Sequence, residues 1–457
     1  GDALAAGAAL AIALVIRHGG SPDPSVIALY RFAGPFLIAT WLAGFTVFGL
    51  YDLRQARNDP QSFERLAKAL LFDFAATAIL FYLVPEFRLR PLVTLIVIFP
   101  VFGALVGAWR GAFNAIAARV ARSRVLFLGV TPEIVSLARF LADQPQWGLD
   151  TAGFAHEAGA APPEALPAPV FDAAEGLAAV VRREKIDTIV VAGDAKRDRR
   201  ILKALFAVTP LGVAVTDFQR LYEAVYGKVP VARISEAWFI ENLIGTRRPK
   251  YEALKRALDL TLAIAVGASA LVILPVVAAA IALSTSRDIL RYRERRARPG
   301  DGLVFFRQPR VGRSGRIFNF IKFRSQVLGA ERHGGEKHEG SDPRAYTVGT
   351  ILRKTYLDEL PQILNVMKGE MSFVGPRPER PEFVRELERA IPFYRTRELV
   401  TPGITGWAQI NMPNDASVSD APEKLQYDLY YIKNRSIALD LTILLKTALK
   451  LLQRSGR

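Results

Sequence analysis

Residues 257–283 read ALDLTLAIAVGASALVILPVVAAAIAL, and how this run meets a bilayer decides the fold of everything after it. It is long enough to cross a hydrocarbon core, which takes about 20 apolar residues. Both flanks are basic: Lys250, Lys255 and Arg256 precede it, and Arg287, Arg291, Arg293, Arg295 and Arg296 follow. A spanning helix shows asymmetry, because its cytoplasmic end collects Lys and Arg. Matching positive flanks keep both ends on one side. Pro275 lies inside the run and removes a backbone hydrogen bond, which favours a bend. The prediction is a re-entrant membrane helix, about residues 252–284, that dips in and returns. The alternative is an ordinary fifth span, which would put the remainder of the chain outside the membrane.

Working outward towards the N-terminus, four apolar stretches at 3–16, 28–50, 66–85 and 91–109 predict four transmembrane helices within residues 1–110. Arg54, Arg57, Arg65 and Lys68 lie between the second and third, and Arg110, Arg119, Arg122 and Arg124 follow the fourth. The remaining loops carry fewer basic residues, Arg17 and then Arg88 and Arg90. These biases place the second loop, the N-terminus and everything after the fourth span in the cytoplasm. Arg31 and Asp73 sit in or near the spans, as an intramembrane polar site or as residues near a span end or paired within the bundle. With Gly1 rather than Met at the start, the expectation is that residues precede it; no signal peptide with a cleavage site is recognisable.

Composition agrees. Hydrophobic residues make up 51% of 457, alongside 23% charged residues, and mean hydropathy is +0.18. An ordinary soluble protein is less apolar. Cysteine is absent, which excludes disulfides and thiolate metal sites, and 4 His argue against a histidine zinc site. The net charge of +16 fits anionic lipid or phosphorylated substrates; in a chain with membrane spans, no nucleic-acid partner is expected.

From Arg124 the pattern changes. Residues 124–130 read as a buried strand, and Thr131 with Pro132 opens a helix to about Asp143. A second strand is expected at 187–193, and 155–169 as a surface loop. Strands alternating with helices predict a parallel doubly wound α/β domain at 120–245. Its first turn has Gly129 but lacks the three-glycine dinucleotide fingerprint. Structural or regulatory use and nucleotide binding at the helix N-terminus both stay open.

Residues 300–457 hold four blocks. In the first, Phe305–Gly312 leads to Phe320–Ser325, with Lys322 and Arg324 on one strand face, suited to phosphate or headgroups or simply solvated. In the second, Leu357–Gly369, Pro361 suits a helix start and Gly369 its C′ position. Asp358 and Glu359 then sit at or before a helix N-terminus, where the macrodipole keeps a carboxylate ionised and nucleophilic. Together they can take one Mg²⁺ with substrate phosphates, or merely cap the helix. In the third, Met371–Arg380, Pro376 and Pro378 fix Arg377 as a fork for a pyrophosphate, or make a rigid loop. The fourth, Thr401–Asn411, is a glycine turn with Trp407 that can line a pocket. A stretch at 437–452 follows whose apolar face can rest on a membrane.

Four segments in this order, Lys322–Ser325, Leu357–Gln362, Ser372–Pro378 and Pro402–Trp407, resemble the bacterial sugar transferase family, the monotopic phosphoglycosyl transferases. The likeness is strong over 250–457, and the preceding spans and α/β domain resemble the family's large form. It implies a membrane protein of mixed α and α/β class. This comprises a four-helix transmembrane bundle, a Rossmann-like parallel α/β domain, and a monotopic catalytic domain at 250–457 with a re-entrant membrane helix. It also implies transfer of a sugar-1-phosphate from a UDP-sugar to a polyprenyl phosphate, undecaprenyl phosphate being expected, with release of UMP. This would be the first membrane step of exopolysaccharide, capsule or O-antigen synthesis.

By the same resemblance Asp358 matches the nucleophile that forms a phosphosugar-aspartyl intermediate. Glu359 matches the second acid, for Mg²⁺ or proton handling. Arg353 and Arg377 match phosphate-contacting positions, with Lys322 and Arg324 as weaker candidates. A homodimer in the bacterial inner membrane, with its catalytic domain on the cytoplasmic face where UDP-sugars are found, is implied too. The chain departs from the family at Leu274, where many members have Ser before the helix proline, and at Gln326, where Met is common. Two rivals remain: a membrane scaffold without catalysis, against which the intact acidic pair and Arg377 argue, and a glycosyltransferase that leaves UDP behind. The sequence leaves the sugar open.

Overall fold

The computed structural model describes all residues except 19–22, 52–59, 84–90, 118–121, 157–165, 173–175, 193–198, 235, 244–247, 293–301, 303, 328–343, 414–417 and 455–457. Arg54, Arg57, Arg88, Arg90, Arg119, Arg293, Arg295 and Arg296, used in the topology argument, lie outside the described residues. So does most of the expected loop at 155–169. Two compact units are present, Gly1–Val225 and Tyr226–Arg457.

The first unit opens with α1 (Asp2–His18), α2 (Pro24–Val47), α3 (Pro60–Leu83) and α4 (Pro91–Ala117). Proline at the head of three of them suits a first helical position, where no backbone donor is lost. The four share a core in which Leu10, Leu37, Trp41, Phe45, Ala69, Leu95 and Phe102 are buried. Among the described residues, the segments Val26–Val47 and Leu95–Ile116 of α2 and α4 are long and apolar enough to cross a membrane. Four helices were expected to span; that measure singles out these two. Of the charged residues expected in the spans, Arg31 is exposed, and Asp73 is buried against Gly44.

An α/β domain completes this unit: β1 (Ser123–Leu128), α5 (Pro132–Asp143), β2 (Leu149–His156), β3 (Val170–Asp172), α6 (Leu177–Glu184), β4 (Thr188–Val191), α7 (Arg199–Val208), β5 (Ala214–Asp217) and α8 (Phe218–Tyr226). The sheet is wholly parallel in the order β3-β2-β1-β4-β5, the doubly wound arrangement expected. Continuous apolar runs, Leu126–Leu128 and Ile189–Val191, form its buried centre because helices cover both faces. At the first crossover, Thr131 Oγ accepts from Ile134 N at 3.4 Å and donates to Glu133 at 2.9 Å. With Pro132 at the first position, the start of α5 is met largely by its own residues.

The second unit runs through α9 (Glu236–Asn242) and α10 (Pro249–Tyr292), then the antiparallel hairpin β6 (Phe305–Val311) and β7 (Ile317–Phe323). Next come α11 (Thr347–Thr355), a 3-10 turn (Leu357–Gln362), α12 (Ile363–Lys368), β8 (Ser372–Val374), α13 (Pro381–Ala390), β9 (Gly403–Thr405), α14 (Trp407–Asn411), α15 (Ala421–Asn434) and α16 (Ile437–Arg454). Strands β8 and β9 pair in parallel.

Helix α10 contains the run at 257–283. It bends by 56° between Pro249–Ala268 and Ala270–Ser284. The break was expected at Pro275 but falls earlier, in the small-residue stretch Gly267–Ala270. Glycine and serine weaken a helix there, whereas a proline disturbs the carbonyl only four residues before it, at Leu271. Both arms pack on the same unit. Ala263 of the first arm joins a core with Phe318, Phe320, Ile363 and Val366, and Val277 and Ile281 of the second join Phe323 and Leu352. The opposite face, including Ile264, Leu271, Val272, Val276 and Leu283, is exposed.

Candidate active site

Strand β7, α11, the 3-10 turn and the loop after β8 bring the sequence-predicted residues together. Tyr356 ends α11 in the left-handed region, with φ 58°, and starts the 3-10 turn in whose first turn Asp358 and Glu359 lie. Neither carboxylate caps this turn: Tyr356 holds the cap position and no side-chain cap bond forms. The capping alternative is thereby set aside. The turn feeds directly into α12, which Gly369 closes at φ 80°.

The two acids have different surroundings. Glu359 accepts a hydrogen bond from Arg377 Nη2 at 3.0 Å. Burial works against its charge, but Arg377, Lys322 and the amide of Gln362 beside it outweigh burial and hold Glu359 below the usual carboxylate range. Asp358 is only 7% exposed, and no hydrogen bond from a described residue reaches its carboxylate. Burial and the neighbouring Glu359 charge push it up to about 6, while Lys322, Arg353 and Arg377 pull the other way. The helix start was expected to keep Asp358 ionised; burial raises its pKa against that effect. At neutral pH the group is still mostly ionised, and it is a stronger base than an ordinary aspartate.

Lys322 lies on β7 with its ammonium 5.2 Å from the Phe306 ring centre across the hairpin. Burial lowers its pKa against the opposing pull of Asp358 and Glu359. Arg353, in the last turn of α11, is exposed and acts on Asp358 through its charge. Arg324 is buried one residue beyond β7.

Arg377 is held by groups that the sequence reading missed. Arg397, 8% exposed, donates to Asp428 at 2.7 Å, to the Tyr394 hydroxyl at 2.7 Å and to the Arg377 carbonyl at 2.9 Å. On the other side Arg310 donates to the Pro378 carbonyl at 2.9 Å and to Gln308 at 2.8 Å, and Lys424 pairs with Glu379. The neighbouring cations hold Glu379 down to about 2 although burial opposes this. Two blocks meet back to back here: a Cβ on Gly375 would overlap the Thr401 carbonyl, and one on Gly403 would overlap the Gly375 backbone. Asp428 carried one signal, a charge between Tyr427 and Leu429-Tyr430-Tyr431, whereas Arg397 lies in the polar run Tyr394–Glu398 and carried none. Trp407, expected to line a pocket, is instead core: it donates to the Gly227 carbonyl at 2.7 Å and stacks on Tyr430.

Among the described residues no group of three or more His, Cys, Asp or Glu can hold a metal. The donor set, two adjacent carboxylates with Asp358 open, fits an ion that takes one or two protein oxygens and completes its shell with substrate phosphates. Mg²⁺ is such an ion. The arrangement as a whole is a buried basic carboxylate faced by Lys322, Arg353 and Arg377, a setting suited to attack on an electrophile carrying several negative charges.

The pattern of the family described as bacterial sugar transferase matches residues 250–454, and that of a CoA-binding domain matches 46–216. A UDP-N-acetylgalactosamine-undecaprenyl-phosphate N-acetylgalactosaminephosphotransferase of Aeromonas hydrophila is 36% identical over 246 residues, 53% of either chain. A UDP-glucose:undecaprenyl-phosphate glucose-1-phosphate transferase of Xanthomonas campestris pv. campestris is 43% identical over 155 residues, 33% of this chain and 32% of that one. Exopolysaccharide production protein ExoY of Sinorhizobium fredii is 32% identical over 227 residues, 46% of this chain and 91% of that protein. The matched part thus spans about half, or less, of the first two relatives and nearly all of the third.

Proposed function

The chain belongs to the bacterial sugar transferase family, and from that premise we propose that it moves a sugar-1-phosphate from a UDP-sugar to undecaprenyl phosphate. The names of the relatives from Aeromonas and Xanthomonas support the acceptor and the group transferred. The reaction would be an early membrane step in making a surface polysaccharide, in keeping with the name of the Sinorhizobium relative, an exopolysaccharide production protein.

One observation carries the mechanism: Asp358 is buried, has no hydrogen-bond partner among the described residues, and is faced by Lys322, Arg353 and Arg377. Its carboxylate oxygen attacks the sugar-side phosphorus. A new P–O bond forms, the bond to the bridging oxygen breaks, and UMP leaves. A phosphate oxygen of the acceptor then attacks the same phosphorus and Asp358 departs as a carboxylate. Arg377, fixed by Glu359 and Arg397, and Arg353 neutralise the pyrophosphate. Asp358 and Glu359 would hold Mg²⁺, which supplies further charge neutralisation when bound.

UDP-sugars and the acceptor phosphate must reach one side of the membrane, so the reading requires a re-entrant α10 on the cytoplasmic face of the inner membrane. The bend and the packing of both arms on one unit support this. Incubating the protein with a panel of labelled UDP-sugars, Mg²⁺ and undecaprenyl phosphate tests the reaction. UMP as the nucleotide product is expected. UDP would point to plain glycosyl transfer, and no turnover with any sugar would point to a scaffold.

A further inference from the structure

Two different phosphates reach Asp358 in turn under the reading above, and the following rests on that reading. We propose that Arg324 and the first turn of α11 form a separate subsite for the phosphate monoester of the lipid acceptor.

Arg324 continues the β7 ladder, its backbone N–H donating to the Val304 carbonyl at 2.8 Å. By the period of two it shares a face with Lys322, about 6.6 Å away along the strand. The side chain is only 4% exposed, yet its Nε and Nη2 are buried without a hydrogen-bond partner among the described residues. A buried guanidinium with open donors is costly unless an anion joins it. Its charge lies 5.9 Å from the Tyr346 ring centre, and the Tyr346 hydroxyl donates to the Arg324 carbonyl, so the Tyr346 ring is held beside the guanidinium.

Tyr346 is also the N-cap residue of α11. That helix has nine residues, no side-chain cap bond and no acidic residue in its first turn. Its leading N–H groups therefore favour an anion. Gly349 in this turn packs so closely that a Cβ would overlap the Ser325 carbonyl, which sets the helix start directly against the Arg324–Ser325 segment. A fixed fork and an open helix start thus adjoin, each suited to the same charge.

The surroundings identify the source of that phosphate as lipid. Phe323, next to Arg324, and Leu352 of α11 pack on Val277 and Ile281 of the second arm of α10. The free face of that arm is apolar and exposed. That arm packs on Phe323, the residue before Arg324, so a lipid resting against the arm comes to the part of the unit that holds Arg324, one strand step from Lys322. The nucleotide sugar needs no such apolar approach.

The test uses the full chain in detergent with a UDP-sugar it turns over and undecaprenyl phosphate in mixed micelles. Arg324→Gln is expected to raise the KM for undecaprenyl phosphate about tenfold or more while changing acceptor-free UMP release less than about twofold. Arg324→Lys keeps a point charge and should fall between. An equal loss in acceptor-free UMP release would overturn the assignment in favour of the nucleotide sugar, and an unchanged KM would reduce Arg324 to packing. Thermal stabilisation provides a readout independent of turnover: undecaprenyl phosphate should raise the Tm of the wild type more than that of Arg324→Lys, whereas UDP should act on both alike. Equal shifts with undecaprenyl phosphate would overturn the proposal. If the wild type turns over no UDP-sugar, the parent reaction fails while this binding result still decides the subsite.

Discussion

Asp358 and Glu359 are neighbours in the chain and opposites in the fold. Glu359 is spoken for by Arg377, and Asp358 is left as the open, basic carboxylate. Asp358→Asn should therefore cut UMP release by about 10³-fold or more without unfolding the protein, read by nucleotide release and by an unchanged Tm. Glu359→Gln should act differently, weakening both acids' arrangement by freeing Arg377. The raised value for Asp358 also fixes a pH dependence. Its protonated form cannot attack, and the group deprotonates as pH climbs through about 6, so kcat/KM for the UDP-sugar should rise across that value and level off above it. A flat profile between pH 5 and 7 would, by roughly a full titration of the group, contradict Asp358 as the attacking residue.

At the scale of elements, the Pro376–Glu379 loop depends on buried ion pairs from distant parts of the chain. Removing Arg397, as in Arg397→Met, strands Asp428 as an uncompensated buried charge and should cost about 3–5 kcal/mol, measured by denaturant unfolding in detergent. Arg397→Lys keeps the charge but loses the fork that also reaches the Arg377 carbonyl, so activity should fall more than stability. In α10 the bend falls at the small residues 267–270, ahead of the proline. Pro275→Ala should leave the bend and the activity largely intact, whereas Gly267→Leu should straighten the first break and impair transfer. Helical content by circular dichroism together with the nucleotide assay distinguishes the two.

For the whole molecule, the question is which side of the bilayer each end of α10 occupies. The chain has no cysteine, so Lys250→Cys and Ser284→Cys report without background. Both should react with an impermeant maleimide from the same side in oriented vesicles; labelling from opposite sides would make α10 a span and sink the cytoplasmic reaction. Much of this architecture was legible in sequence, because apolar runs and their periods depend on neighbours a few residues away. The helices of the first unit, the parallel strands 123–128 and 188–191, the turn around Asp358 and the Gly369 stop all follow from such local rules. The grouping of Lys322, Arg353, Asp358, Glu359 and Arg377 came instead from the family resemblance of four ordered blocks, not from a local rule. The inequality of the two acids did not follow, nor did the Arg397–Asp428 clasp behind Arg377, the place of the α10 bend, the burial of Trp407 or the open guanidinium of Arg324. Each depends on residues tens of positions apart being brought into a common low-dielectric interior, where desolvation and hydrogen-bond partners are set. Sequence alone therefore determined which chemical groups the protein carries and in what local shape. Only the tertiary structure decided which charges are paired and which are left free to act, because pairing and burial are properties of contacts between segments.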